Sequence, residues 1–369
     1  MFPQVDPIPL PAPVWLFKML EMLTVSLHFL AVQLLVGGLA CASIWAWLGR
    51  RRAQPELLDA SGAIAVRLPV VMTFVINLGV PPLLFAQVLY GRALYTSSVL
   101  IGAFWFAVIF LLMASYTCLY YIAHRAGRSQ GWAWIGLIAL LIIVKVGFIY
   151  SSNMTLMLRP EAWREMYRSD GFGRHLNSGD PTVWPRWLYM MFGGLTVGGV
   201  GLMALGLVKQ LRAETGEFLR RWGGRLAVAG VAVQGVLGLW VSLAQPAAVR
   251  SGLWHNWVYV LCFFAWIASA VLLGLAAWAG QASAAEAGWK WPAAAGLMVF
   301  LLNLVAVVYR GGIRDVTLSG FSFNVWAREV AANWVVVAAF LLLFVFGLAA
   351  VAWLTSIVFR MEKVEERYA

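Results

Sequence analysis

Nine long apolar runs dominate this chain, at 14–48, 66–90, 97–123, 131–151, 186–208, 225–244, 255–279, 291–309 and 333–358. About 20 apolar residues in helical form cross the hydrocarbon core of a bilayer, and a backbone in lipid must satisfy its own polar groups. The expected fold is therefore an all-α, polytopic membrane helix bundle of about nine transmembrane helices. Composition agrees: 62% of the residues are hydrophobic and 12% charged, where soluble domains carry roughly 25% charge. The 20 tryptophans suit a chain with two membrane–water interfaces.

The sequence is read as one transmembrane domain over 1–369, with a cap between the fourth and fifth spans at about 151–185. That cap holds Arg159, Arg164, Arg168 and Arg174 against Glu161, Glu165, Asp170 and Asp180. Such balance suits a folded cap or partner surface. Placing Arg50, Arg51 and Arg52 inside puts 15 Lys/Arg on the cytoplasmic side and 11 outside, with Lys145 in a span. The positive-inside rule then sets the amino end outside and "RMEKVEERYA" in the cytoplasm. No basic n-region precedes the first span, so no cleaved signal peptide is expected. The net charge of +11 is spread along membrane flanks, which fits anionic headgroups and excludes a nucleic-acid surface.

Several reaction classes lack their residues. No Asp or Glu occurs between positions 60 and 160, and Glu21 stands near the outer end of its span. Proton-coupled transport and oxygen reduction generally need carboxylates at membrane depth, so both are disfavoured. Cys41, Cys118 and Cys262 are far apart and form no CxxC or CxxCH, which leaves them as small buried hydrophobes. Phosphate loops, Ser–His–Asp sets and zinc-type His/Glu pairs are absent too.

What remains is a short set of polar residues in apolar surroundings. His28, in "LTVSLHFLAVQLLVGG", shares a helix face with Thr24, Ala31, Leu35 and Gly38. Small residues there admit a flat ligand such as a porphyrin, whose iron imidazole commonly ligates; a hydrogen bond to a neighbouring helix is the plainer alternative. Lys145 can snorkel to the interface or meet an anionic group such as a haem propionate or a quinone oxygen. His255, in "SGLWHNWVYV", is either an interfacial anchor or a second ligand opposite His28. His124 and His175 read as interface and solvated loop. Gly194 and Gly198, and the stripe Gly230, Gln234, Gly238 and Ser242, suit close helix packing more than a ligand channel.

Together, "LHFLAVQLLVGG", "NLGVPPLLFAQVLYG", "SSNMTLMLRP" and "PRWLYMMFGGLTVGG" resemble, in order, stretches of subunit I of the cytochrome bd quinol oxidases. The resemblance implies that fold and makes His28 the ligand of one b haem. It also shows departures. Tyr189 stands where the family has the histidine of its low-spin haem. No counterpart exists for the methionine and arginine of the seventh helix or for the glutamates of the second and third. The outer quinol loop has shrunk to "QPAAVRSGLWHN". With these departures the resemblance implies a divergent bd-like protein that does not reduce oxygen.

"NLGVPPLLFAQVLYG", "SNMTLMLRPEAW" and "YRGGIRDVTL" are closer still to a bd-like branch that exchanges electrons with multihaem c cytochromes. That likeness implies an electron-transfer or quinol-interacting subunit of a bacterial inner-membrane complex. Its cofactors would be at most one b haem, with a quinone as the further candidate, and its partner a c-type cytochrome on the outer face. Arg310 and Arg314 would contact propionates or acidic partner groups, or else pair with Asp170, Asp180 or Asp315. A haem-free scaffold that kept the fold and anchors an outside partner is the rival reading.

Overall fold

The computed structural model describes residues 2, 8–126, 131–281 and 288–360, with side chains to 357. The expected cytoplasmic tail beyond Arg360 lies outside them. Twelve helices are described: α1 Val14–Arg51, α2 Pro55–Ala65, α3 Leu68–Leu100, α4 Gly102–Arg125, α5 Ala133–Leu156, α6 Pro160–Ser169, α7 Val183–Leu205, α8 Ala213–Leu243, α9 Ala247–Trp254, α10 Trp257–Ala279, α11 Lys290–Ser319 and α12 Trp334–Arg360. All but α2, α6 and α9 are long and apolar enough to cross a membrane, which makes nine spans among the described residues.

Helix α1 is the hub. Its 38 residues extend about 57 Å at 1.5 Å per residue, and it packs on α2, α3, α5, α7 and α11. Helix α7 lies against both α1 and α8, and glycines set these approaches. A Cβ on Gly198 would stand 2.9 Å from the Gly37 Cα, and one on Gly223 2.5 Å from the Gly199 carbonyl oxygen. Lipid supplies no hydrophobic force between helices, so backbone-to-backbone packing of this kind holds them.

Helix α3 carries Pro81 and Pro82 inside it and breaks helical geometry at Tyr90 (φ −126°, ψ 20°). The prolines lack the N–H groups that would reach Asn77 and Leu78. The loosened helix continues to Leu100, beyond the expected end at 90. Helix α11 likewise runs to Ser319 instead of stopping at 309, and α8 begins at Ala213 instead of 225. Charge misled the α11 boundary: Arg314 is buried and Asp315 bonded inside the fold, so neither marks an exit into water.

The cap sits at the end of the bundle where α1 begins, called here the cap end. Trp163 Nε1 donates to the Leu156 carbonyl at 2.9 Å. The Asn177 backbone N–H donates to Ser152 Oγ at 2.6 Å, and its side-chain amide to Thr155 Oγ1 at 3.0 Å. Gly173 has φ +67° and presses on the α3–α4 turn, where a Cβ would come 2.5 Å from the Gly102 nitrogen. The segments before α1 and α12 are tied in parallel: Leu10 N–H donates to the Glu329 carbonyl and Ala331 N–H to the Leu10 carbonyl, each at 2.9 Å.

Candidate functional site

A cavity of about 420 Å³ opens inside the bundle, walled by α1, α3, α4, α5, α7, α8, α10 and α11. That is within the usual size of small-ligand and cofactor sites. His28 of α1, Arg186 and Tyr189 of α7 and Arg310 of α11 all line it.

His28 Nδ1 lies 3.0 Å from the Val75 carbonyl oxygen. A carbonyl only accepts, so Nδ1 carries the proton and Nε2 keeps its lone pair. No partner for Nε2 exists among the described residues. Gly79, one turn beyond Val75, makes room for the ring: a Cβ there would stand 2.9 Å from His28 Cε1 and 3.1 Å from Nδ1. The imidazole is thus oriented through one nitrogen while the other is left free, the arrangement that metal-bound histidines use. The expected hydrogen bond to a neighbouring helix and a ligand role are therefore compatible.

At the cap end, two buried charge clusters tie α1, α3 and α11 together. Arg314 donates from Nη1 and Nη2 to Glu21 Oε1 and Oε2 at 2.6 and 2.7 Å, a bidentate pair between side chains 9% and 3% exposed. Lys18 Nζ donates to Asp315 Oδ2 at 2.6 Å and to Tyr90 Oη at 2.5 Å. The Tyr90 hydroxyl donates to Asp315 Oδ1 at 2.6 Å, and its ring lies under the Arg314 guanidinium, 3.8 Å from centroid to Cζ. Arg314 thus pairs with Glu21, and not with Asp170, Asp180 or Asp315. Arg310 forms no ion pair among the described residues and rests over the Phe29 ring at 5.5 Å.

Two expectations are corrected. Lys145 does not line the cavity; it stands exposed on the outward face of α5, its Nζ 5.7 Å from the Phe104 ring centroid and 5.6 Å from that of Phe148. Phe104 is in the first turn of α4, so the stem reaches toward the cap end, as a snorkelling lysine does. Lys145→Met should accordingly leave cofactor content and optical spectrum unchanged, and loss of bound cofactor would return Lys145 to the site. His255 is exposed at the end of α9, with Nδ1 2.7 Å from the Ser251 carbonyl oxygen. It does not reach the cavity and cannot face His28. Short α9 turns it outward, a reversal that sequence depth alone does not show.

Other lining residues went unremarked in the sequence. Arg186 donates from Nη2 to Gln245 at 2.9 Å, while its Nε is buried without a partner. The Asn303 side-chain nitrogen is also buried and unpaired. Asn303 is the one polar side chain between Trp291 and Val308, a signal as plain as that of His28. Tyr189 Oη accepts from Trp266 Nε1 at 3.0 Å. The stripe on α8 divides: Gly230 packs on Thr196, and Gln234 accepts from the Thr196 hydroxyl at 2.6 Å, but Gly238 and Ser242 line the cavity.

No family model and no curated protein matches this chain. Among solved structures it is similar to the bd oxidase from Geobacillus thermodenitrificans, with 13% identity over 96% of this chain and 99% of that one and a TM-score of 0.67. At that identity the likeness is one of fold, and it shows an integral membrane protein built as a bd-type helix bundle.

Proposed function

We propose that the chain is a membrane electron-transfer subunit of a respiratory complex that holds one b haem on His28. It passes electrons between the membrane and a c-type cytochrome, single or multihaem, at the cap end. The carrying observation is the His28 imidazole, anchored through Nδ1 to Val75 and housed by Gly79, with Nε2 unengaged at a mostly apolar cavity. When bound, haem supplies one-electron redox chemistry. The chain's residues then have separable roles. Val75 fixes the tautomer, Gly79 sets ring position, the apolar walls exclude water, and the buried cations at the cap end neutralise carboxylates.

Oxygen reduction is not part of the proposal, because the α3 and α4 segments carry no carboxylate to deliver protons. In this reading the cap end lies outside the cytoplasmic membrane of a bacterium and the carboxyl end inside, which the excess of Lys and Arg on the opposite side supports. Quinone access stays a secondary part of the reading, supported by Ile76 and Val80, which line the cavity and are also exposed on the bundle surface.

The test is the reduced-minus-oxidised spectrum of gently purified protein, with pyridine haemochrome quantitation. Wild-type protein should hold close to one b haem per chain, and His28→Ala should lose it. Well-folded protein without haem would leave His28 as a packing residue and favour the scaffold reading.

A further inference from the structure

The charged and amide groups that line the cavity are nearly all donors. Arg186 Nε, Arg314 Nε and the Asn303 amide nitrogen are buried and unpaired, and Arg310 has no hydrogen-bond acceptor among the described residues. Of all the lining residues Glu21 is the single carboxylate, and both its oxygens are taken by Arg314. Arg314 and, less strongly, Arg186 repel Arg310, and Glu21 attracts it from beyond ion-pair distance. No carboxylate lies within ion-pair distance of either among the described residues; Asp180, whose charge acts on Arg186 from farther off, accepts instead from Asn177 and from the Thr182 N–H.

Two guanidinium groups facing an apolar cavity with no directly paired counter-charge are costly to bury. A neutral acceptor such as a quinone carbonyl would satisfy hydrogen bonds yet leave the charge. An apolar body carrying two carboxylates would satisfy both, because guanidinium forks match carboxylates in shape as well as charge. The rings of Phe263, Trp266 and Tyr309 also line the cavity, which suits a flat ring system.

We propose that Arg186 and Arg310, and not Arg314, form a dicarboxylate clamp that selects a flat diacid such as a porphyrin by its two acid groups, independently of any metal. The clamp rests on the haem reading only for the identity of its ligand, and it adds Arg186 to the site. Arg314 is committed to Glu21 and acts as a positioning residue for the clamp. Tyr189 then belongs to the wall beside the acid edge, where it is held by Trp266.

The probes are iron-free protoporphyrin IX and its dimethyl ester, titrated into full-length protein purified from haem-limited cells and followed by porphyrin fluorescence. The diacid should bind, and the diester should bind more weakly by about tenfold to a hundredfold, the worth of one or two charge-assisted hydrogen bonds. Arg186→Gln and Arg310→Gln should each bring the diacid toward the diester's affinity, while leaving the diester unchanged. Lys at either position, which keeps the charge and lowers the risk of misfolding, should recover part of the loss.

Equal affinity for diacid and diester would overturn the clamp, as would unaltered diacid binding in both glutamine variants or equal competition by an anionic phospholipid. Haem that depends on His28 without diacid selectivity would sink the clamp and leave the haem reading standing. Diacid selectivity without His28-dependent haem would do the reverse.

Discussion

Glu21→Gln should cost about 3–5 kcal/mol of unfolding free energy in mixed micelles, the penalty for stranding one member of a buried ion pair. The substitution keeps size and shape, so packing is not the cause. What it removes is the counter-charge of Arg314, whose two terminal nitrogens sit 2.6 and 2.7 Å from the carboxylate. Lys18 and Arg310 stand nearby, and Asp315 is shared between Lys18 and Tyr90. The variant therefore leaves three cations around one acid in a poorly hydrated place. Removing both partners, as Glu21→Leu with Arg314→Leu, should recover most of the loss, because apolar replacement of a buried pair is often neutral. Recovery would be incomplete, since the stacking of Arg314 on Tyr90 goes as well. Chemical unfolding of the three proteins checks this, and a Glu21→Gln loss under about 1 kcal/mol would mean that water or another group compensates Arg314.

The same cluster shows why the spans could be read from sequence while their ends could not. Hydropathy marks an apolar run because lipid imposes it locally, residue by residue. Whether a charge ends that run depends on its partner, and here the partners are Lys18 with Asp315 and Glu21 with Arg314, joined across almost the whole chain. His28 was readable as a lone polar group on an apolar face. Its anchor was not, because Val75 contributes only a backbone carbonyl and Gly79 only the lack of a side chain. Lys145 and His255 failed for another reason. Depth along a helix is visible in sequence, but the face a side chain takes around the bundle depends on which neighbours pack there. Asn303 is the case where the signal was present: an amide in an otherwise apolar run needs a reason, and the cavity supplies one.

The crossing of α1 and α7 carries the second large effect. A Cβ on Gly37 would overlap the Gly194 carbonyl oxygen and stand 2.9 Å from the Gly198 Cα. These are backbone atoms, so no side chain can swing away, and the two helices must move apart. Overpacking of a core costs about 1–3 kcal/mol and more where nothing can yield; Gly37→Val should exceed the upper end, with Gly37→Ala within it. Gly235→Ala on α8 is the control: nothing lies within 4 Å of its would-be Cβ, and alanine's helix preference should give it up to about 1 kcal/mol of added stability. The consequence is functional as well as structural. His28 is nine residues above Gly37 on α1, about 14 Å at 1.5 Å per residue, and Arg186 and Tyr189 stand on α7 beyond the same crossing. Spreading the helices widens the cavity between them, so Gly37→Val should lose diacid porphyrin binding along with stability while Gly235→Ala keeps both. If Gly37→Val melted like the control and still bound the diacid, α1 and α7 would not be in backbone contact, and the crossing would not be what holds the two sides of the cavity at their working distance.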